Sequence, residues 1–402
     1  MGNEIKSSID AILPFISLQR LSKEYFGKHS SWLYHKLNED LINGVHYQLD
    51  DNELRLLGAA LKDLATKISN TTIALEQIYE RRKRQKGRYY TISNPFELNA
   101  FRSWWNSICI AKNFVIEPFA GECHIPRMLS EAGYDIKWRC YDLHSYKHEE
   151  YKVTKRDTLQ NFPRGYNVCI TNPPYLRKAR ASRLKLPFHC SGYEDMYMLA
   201  LDRILSHCKY AAVIVPESFI NSNLFVNRLE CVVSLNLKMF GDTDFPVCLA
   251  LFSPNASKTD FYIGNQYIDT IQNLHRNKIA NTENICQWVF NAPCGSIGVK
   301  CIDGKESADI GFVRGETINS EEIKATCRSY TRISGLPSDI DTDAIIRRCN
   351  LILNEYREKT YDVFLTSFKG LRKDGRYRRR IDFHTIRAIL NQAYKTFTND
   401  CK

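Results

Sequence analysis

The stretch Val168-Cys169-Ile170-Thr171-Asn172-Pro173-Pro174-Tyr175 decides the fold. Its opening run is apolar, β-branched and too short for a helix, so it reads as a strand buried on both faces. The two prolines end it, and each holds the residue before it extended, so the chain leaves the strand straight and cannot coil at once into a helix. Working outward, short apolar runs recur at Phe114-Val115-Ile116, Trp138 to Tyr141, Ala211 to Val215 and Val247 to Phe252, with helical spacings between them. Such alternation from Asn113 to Pro254 predicts an α/β domain built on a doubly wound, Rossmann-like sheet. Ligands in these folds bind beyond the carboxyl ends of the strands, so the chemistry belongs just after each run.

The 402 residues divide on pattern into three regions, 1–80, 81–254 and 255–402. From Ile5 to Tyr79 the apolar residues fall three and four apart (Ile9, Leu13, Ile16, then Leu54, Leu57, Leu61, Leu64), which predicts a small helical unit with almost no strand. Within it, Leu18 to Leu37 reads as a helix, a break at Gly27 and a second helix opened by Ser30-Ser31. That is either a helix-turn-helix or two packed helices with no role on DNA. The run Arg81-Arg82-Lys83-Arg84-Gln85-Lys86 marks a boundary, as a solvated helix end or linker, with DNA backbone contact as the second reading. After Pro254 the alternation stops. The last third turns basic at Lys369 to Arg380 and ends in an amphipathic segment, Ile386 to Phe397, as a target-recognition region would.

A net charge of +11 and a pI near 8.9 make nucleic acid the leading partner. The 14 cysteines are scattered singly, with no Cys-x-x-Cys pair and no His cluster at zinc spacing, so reduced thiols and no metal are expected. No apolar run approaches the roughly 20 residues of a spanning helix. The expectation is a soluble, cytoplasmic protein, not bound to a membrane, and a monomer.

Asn172-Pro173-Pro174-Tyr175, preceded by Ile116-Glu117-Pro118-Phe119-Ala120-Gly121, resembles the ordered motifs of the amino-methyltransferases that act on adenine in DNA. The resemblance covers most of Gly87 to Phe252 and implies S-adenosylmethionine as cofactor. By it, Glu117, Pro118, Ala120 and Gly121 form the first cofactor motif, with Glu117 facing the methionine part. Where the family usually carries a second glycine two positions on, this chain has Glu122-Cys123. Asp142, roughly 20 residues past that motif and at a strand end, stands where an acid accepts from ribose hydroxyls; a helix N-cap is the alternative. Asp157 resembles the acid that accepts from the cofactor's adenine amine, although Arg156 could pair with it at the surface. Upstream, Gly87-Arg88-Tyr89-Tyr90-Thr91 resembles the motif that closes over the methionine end, with Thr91 at the matching position. The order of N-terminal, cofactor and catalytic motifs, then recognition region, is the family's gamma arrangement.

The implied chemistry is direct. An exocyclic amine conjugated to a purine is a poor nucleophile, and accepting both its hydrogens, on the Asn172 oxygen and the Pro173 carbonyl, turns its lone pair toward the methyl donor. Pro174 fixes the backbone, and Tyr175 offers a ring to a base that has left its stack. Pro216-Glu217-Ser218 resembles the loop flanking the target pocket, and either Phe240 or Phe245 the second aromatic wall. Arg372, Lys373, Arg376, Arg378, Arg379 and Arg380 are the candidates for DNA contact, against a solvated charge run. Cys294 after Pro293 resembles a cytosine-methyltransferase nucleophile but lies outside the position such chemistry requires. The reading is therefore a stand-alone modification enzyme acting on adenine at a short site in double-stranded DNA, of the kind paired with a restriction endonuclease, whether or not such a partner exists. RNA methylation, glutamine methylation of release factors and a non-catalytic DNA-binding remnant are the competitors.

Overall fold

The computed structural model describes residues 2–85, 91–108, 114–144, 149–186, 188, 192–241, 243–279 and 285–400. The motif residues Gly87 to Tyr90, together with Lys86 and the side chains of Arg81 to Gln85, lie outside the described residues. The chain forms two compact units, Met1–Gln85 and Lys86–Lys402.

The first unit is helical: α1 (Gly2–Ile9), α2 (Leu18–Phe26), α3 (Trp32–Leu37) and the long α4 (Asp51–Gln85). Leu21, Trp32, Leu33, Leu37, Leu57 and Ala60 make its core. The Ser17 hydroxyl caps α2 by accepting from the Arg20 N–H, and Gly27 ends it in the left-handed conformation (φ 62°) that a side chain would strain. Between α3 and α4 stands a hairpin pairing Leu41–Ile42 with Val45–His46, absent from the sequence reading. Asn43 and Gly44, both at positive φ, supply its two-residue turn.

The second unit is mixed α/β around one large mixed sheet. In chain order its strands are β1 (Val115–Glu117), β2 (Trp138–Asp142), β3 (Val153–Lys155), β4 (Val168–Thr171), β5 (Tyr210–Pro216), β6 (Leu229–Ser234), β7 (Val247–Phe252), β8 (Asp260–Ile263) and β9 (Gln266–Thr270). Their spatial order is β9-β8-β6-β7-β5-β4-β1-β2-β3. Strands β3, β2, β1, β4 and β5 run parallel, while β7 is antiparallel to both neighbours. From β1 the chain winds outward through β2 and β3, then returns to the other side of β1 as β4, so the topological switch lies between β1 and β4. Strands β1, β4 and β7 are buried along their whole length, which is why they read as continuous apolar runs. Helices α5 (Asn99–Ser107), α6 (His124–Glu131), α7 (Lys178–Arg183), α8 (Met196–His207) and α9 (Ile271–Arg276) complete this part.

Beyond Pro254 the chain first adds β8 and β9 to the same sheet. It then forms a four-stranded antiparallel sheet, β10 (Val289–Phe290), β11 (Ile297–Lys300), β12 (Gly311–Arg314) and β13 (Tyr330–Ser334), followed by α10 (Thr342–Thr360). A hairpin, β14 (Thr366–Leu371) with β15 (Tyr377–Arg380), precedes α11 (Phe383–Asp400).

That hairpin is fastened to the large sheet by buried charge. Glu217, directly after β5, accepts from both terminal nitrogens of Arg379 at 2.8 and 3.2 Å, and also from the Ser234 and Ser367 hydroxyls. The Tyr377 hydroxyl accepts from the Val247 N–H at 3.4 Å, and the Gly370 N–H reaches the Asp244 carbonyl at 3.3 Å. Truncating one member of a buried pair strands the other charge in a medium that cannot solvate it. Arg379→Met is therefore expected to cost roughly 3–5 kcal/mol, read from urea unfolding, with Glu217→Gln in the same chain recovering much of it. A cost as small as that of an exposed substitution would show that the pair is not buried in solution.

Candidate active site

Four loops meet at the carboxyl ends of the central strands. The loop after β1 begins at Glu117, whose carboxylate is 2 % exposed and has one oxygen, Oε2, buried without a hydrogen-bond partner. Burial, first, and then Cys123 and Asp142 push this carboxyl well above the ordinary glutamate range. An orphaned buried acid at a switch point fits a ligand that brings a cation to it, as an amino-acid ammonium group would.

Gly121 (φ 51°) and Cys123 (φ 55°) then turn the chain into α6. Cys123 thus holds the left-handed conformation that favours glycine, at a cost of roughly 1–2 kcal/mol, and its buried side chain packs against Cys140 and Ala120. The loop is stitched to its neighbours: the Gly121 N–H donates to Asp142 Oδ2 at 3.0 Å, the Ala120 N–H to the Tyr141 carbonyl at 2.9 Å, and the Thr158 hydroxyl to the Pro118 carbonyl at 2.8 Å.

Asp142 caps no helix among the described residues. Its other oxygen accepts from the His144 N–H at 2.9 Å, so it braces the two loops and keeps lone pairs for a further donor. Asp157 closes its own turn by accepting from the Leu159 and Gln160 N–H groups at 3.1 and 3.2 Å. Arg156 bonds instead to Asn161, through its backbone and side-chain oxygens.

Asn172 leaves β4 with its amide held at both ends. Its Nδ2 donates to the Thr91 hydroxyl at 3.2 Å, and its Oδ1 accepts from the Tyr175 hydroxyl at 2.5 Å. Thr91 is buried and pairs through its backbone with Phe240, while the His124 ring meets its carbonyl at 3.1 Å. The segment ahead of the sheet, the loop after β4 and the loop after β6 are thereby joined at one residue, Thr91, through its hydroxyl and its backbone.

Tyr175 is 4 % exposed, and its hydroxyl also lies 2.8 Å from the Ile214 carbonyl. Its ring is near-parallel to Phe245 (27°, centroids 6.0 Å apart) and edge-on to Phe240 and Tyr197. A base sandwiched between two rings needs roughly 7 Å between their planes, two contact distances. The Tyr175 and Phe245 centroids, 6.0 Å apart, leave less than that, so a base fits between them only if the half-buried Phe245 swings outward, whereas Phe240 is fully buried.

Sequence reasoning missed Asp195. This buried acid follows the catalytic-motif loop at the start of α8, and burial pushes its carboxyl up to about 6 against the opposing pull of the Tyr197 N–H and Arg177. The run at 372–380 is corrected in part. Arg372 is buried among Asp303, Asp362 and Asp374, and Arg379 is buried on Glu217, so neither guanidinium reaches a phosphate. Strand alternation sorts the rest: Lys373 is exposed, and Arg376, Arg378 and Arg380 are half-buried. In the first unit, His35 and Lys36 of α3 meet Asp40 and Glu53 at 2.7 and 2.8 Å.

The family described as domain of unknown function DUF5053 matches residues 5–75. No curated protein matches the chain. Similar solved structures include the methyltransferase subunit of a type I restriction-modification system from Streptococcus thermophilus, at 14 % identity over 48 % of this chain and 53 % of that one, with a TM-score of 0.33. The type IIG restriction endonuclease BpuSI is 14 % identical over 58 % of this chain and 34 % of its own, with a TM-score of 0.32. The M protein of the type I restriction enzyme EcoKI is 12 % identical over 72 % and 66 %, with a TM-score of 0.28. The chain spans about half the length of the first of these. No helix among the described residues is long and apolar enough to cross a membrane.

The raised Glu117 carboxyl carries a stability consequence. A free glutamate ionises near pH 4.3, so between that pH and the higher value in the folded chain the wild type loses stability as pH rises. Glu117→Gln should raise the melting temperature by a few degrees in the absence of added cofactor, with the gain growing upward from about pH 4.3 and absent below it. A change in melting temperature that ignores pH would mean the carboxylate has a partner in solution.

Proposed function

We propose that the second unit transfers a methyl group from S-adenosylmethionine to the exocyclic amine of an adenine drawn out of double-stranded DNA. The observation that carries this reading is the fixed Asn172 amide, set at the end of β4 beside the switch point and tied to Thr91 and Tyr175.

In this reading Glu117 would take the cofactor's ammonium, the Asp142 carboxylate its ribose hydroxyls, and Asp157 its adenine amine, with Pro118, Ala120, Gly121 and Thr91 shaping the loops around it. The cofactor supplies an electrophilic methyl group. Asn172 Oδ1 and the Pro173 carbonyl accept the two hydrogens of the target amine, which localises its lone pair, and Pro174 keeps that carbonyl from turning away. Loss of the methyl would leave the sulfonium a neutral thioether, and the proton displaced from the amine nitrogen would pass to solvent, so no strong base and no covalent intermediate are needed. Tyr175 and Phe245 become the two faces of the base slot once Phe245 swings outward, and Phe240 supports them from the core. The part of residues 255–402 beyond β8 and β9, which extend the central sheet, serves as the recognition region, with Lys373, Arg376, Arg378 and Arg380 left to meet DNA. A modification enzyme working beside a restriction endonuclease is the role that fits.

The deciding experiment is transfer of labelled methyl to unmethylated genomic DNA, with total RNA and release factor as parallel substrates and nucleoside analysis of the product. N6-methyladenine confined to DNA is expected. Label in RNA or protein overturns the substrate, and cofactor binding without transfer to any of the three overturns catalysis. Asn172→Ala removes an acceptor used mainly in the transition state, so turnover should fall roughly a hundredfold with little change in cofactor affinity. Asp142→Ala should instead weaken cofactor binding by roughly tenfold or more in calorimetry, and unchanged affinity would leave it as a loop brace alone.

A further inference from the structure

Between Asp157 and Glu194 the chain carries no acidic residue, yet it holds Arg164, Arg177, Lys178, Arg180, Arg183 and Lys185. These six positive charges are more than half of the net +11, in the 36 residues that also contain Asn172-Pro173-Pro174-Tyr175. Five of the six fall within residues 177–185, a stretch to which the sequence reading gave no role.

The structure makes this stretch a compact platform. Helix α7 is anchored by the buried Ala181, whose carbonyl accepts from the Leu186 N–H at 2.9 Å. The stretch is tied to the base of α8, with the Lys178 N–H donating to the Glu194 carbonyl at 2.9 Å and the Met196 N–H to the Leu176 carbonyl at 3.1 Å. Arg177, Lys178, Arg183 and Lys185 are exposed, and Arg180 is half-buried. Asp195 stands 3.7 Å from Arg177 Nε, while the Arg177 side chain stays 68 % exposed. Arg372 and Arg379, by contrast, are committed to internal carboxylates.

Position adds the second argument. Arg177 follows Tyr175 by two residues, at most about 7 Å of backbone, so the cations begin where a base at Asn172 would leave its own phosphates. Duplex DNA carries a negative charge about every 3.4 Å along each strand, and cations at this density match it without reading any base.

We propose that residues 177–185 are the phosphate-binding surface that seats the target strand of duplex DNA over the Asn172 pocket. Its setting rests on the reading above, but its binding chemistry is measurable without turnover. The test is the affinity of a labelled duplex of mixed sequence across a sodium chloride series, for wild type and for Lys178→Ala/Arg183→Ala/Lys185→Ala. Each phosphate contact contributes about 0.9 to the slope of log K against log salt. The triple variant should therefore bind at a slope shallower by about 2 to 3 and at least roughly tenfold more weakly at low salt, with melting temperature and cofactor affinity unchanged. The charge-reversed triple, with glutamate at the same positions, should weaken binding further.

An unchanged slope overturns the proposal, as does a loss seen with RNA and not with duplex DNA. Methyl transfer measured in parallel separates the two readings. A changed slope in a protein that methylates no DNA leaves the surface standing and removes the function. Proven DNA methylation with an unchanged slope removes the surface and leaves the function.

Discussion

A carboxylate that no water reaches holds the second unit together. Glu217 follows β5 directly inside the protein, and it is tolerable there because Arg379 forks onto it while two serine hydroxyls fill its remaining lone pairs. Through that one group the central sheet, the strand after it and the late hairpin share a single electrostatic fate. The same hairpin touches the loop carrying Phe240 and Phe245 through Gly370 and Tyr377, so the aromatic side of the site inherits its position from a charge pair made far along the chain.

The opposite side of the site is built by different means. Around Glu117 the chain leaves a buried oxygen unsatisfied and accepts a left-handed cysteine, both of which cost stability. The Asn172 amide is the reverse, bonded at both ends so that it has one orientation, although the adjoining Thr171 hydroxyl is also buried without a partner. Strain and orphaned charge belong where a ligand can relieve them, and full satisfaction belongs where geometry must not drift. This division is what the proposed reaction requires of cofactor and target sites respectively.

What the sequence revealed follows from burial. Strands β1, β4, β5 and β7 are packed on both faces, so their apolar runs stood out, whereas the switch point needed the strand order that only the structure supplies. Strand β3 is three residues at the sheet edge, and β6 carries Glu230 within its run, so neither announced itself. The hairpin of the first unit had a signal in Asn43-Gly44, and the late hairpin one in Asp374-Gly375, each a turn dipeptide that went unused. Missing the second turn is why Arg372 and Arg379 read as surface cations. A string of arginines gives no hint of direction until the strand period is known, after which alternate residues must point inward. Cys123 was visible as a departure in composition, but its retained backbone conformation was not, because nothing in a residue's identity reports its φ.

The span of these contacts also governs when the molecule can be assembled. Thr91 and Asn172 are 81 residues apart, and Glu217 waits 162 residues for Arg379. A chain emerging from the ribosome would thus carry most of the central sheet with an uncompensated acid at its heart, and that sheet gains its missing counter-charge only once Arg379 has been made. Contacts this distant in sequence form slowly and late. A chain that stops short of Arg379 therefore holds Asn172-Pro173-Pro174-Tyr175 on a sheet whose buried Glu217 has no counter-charge.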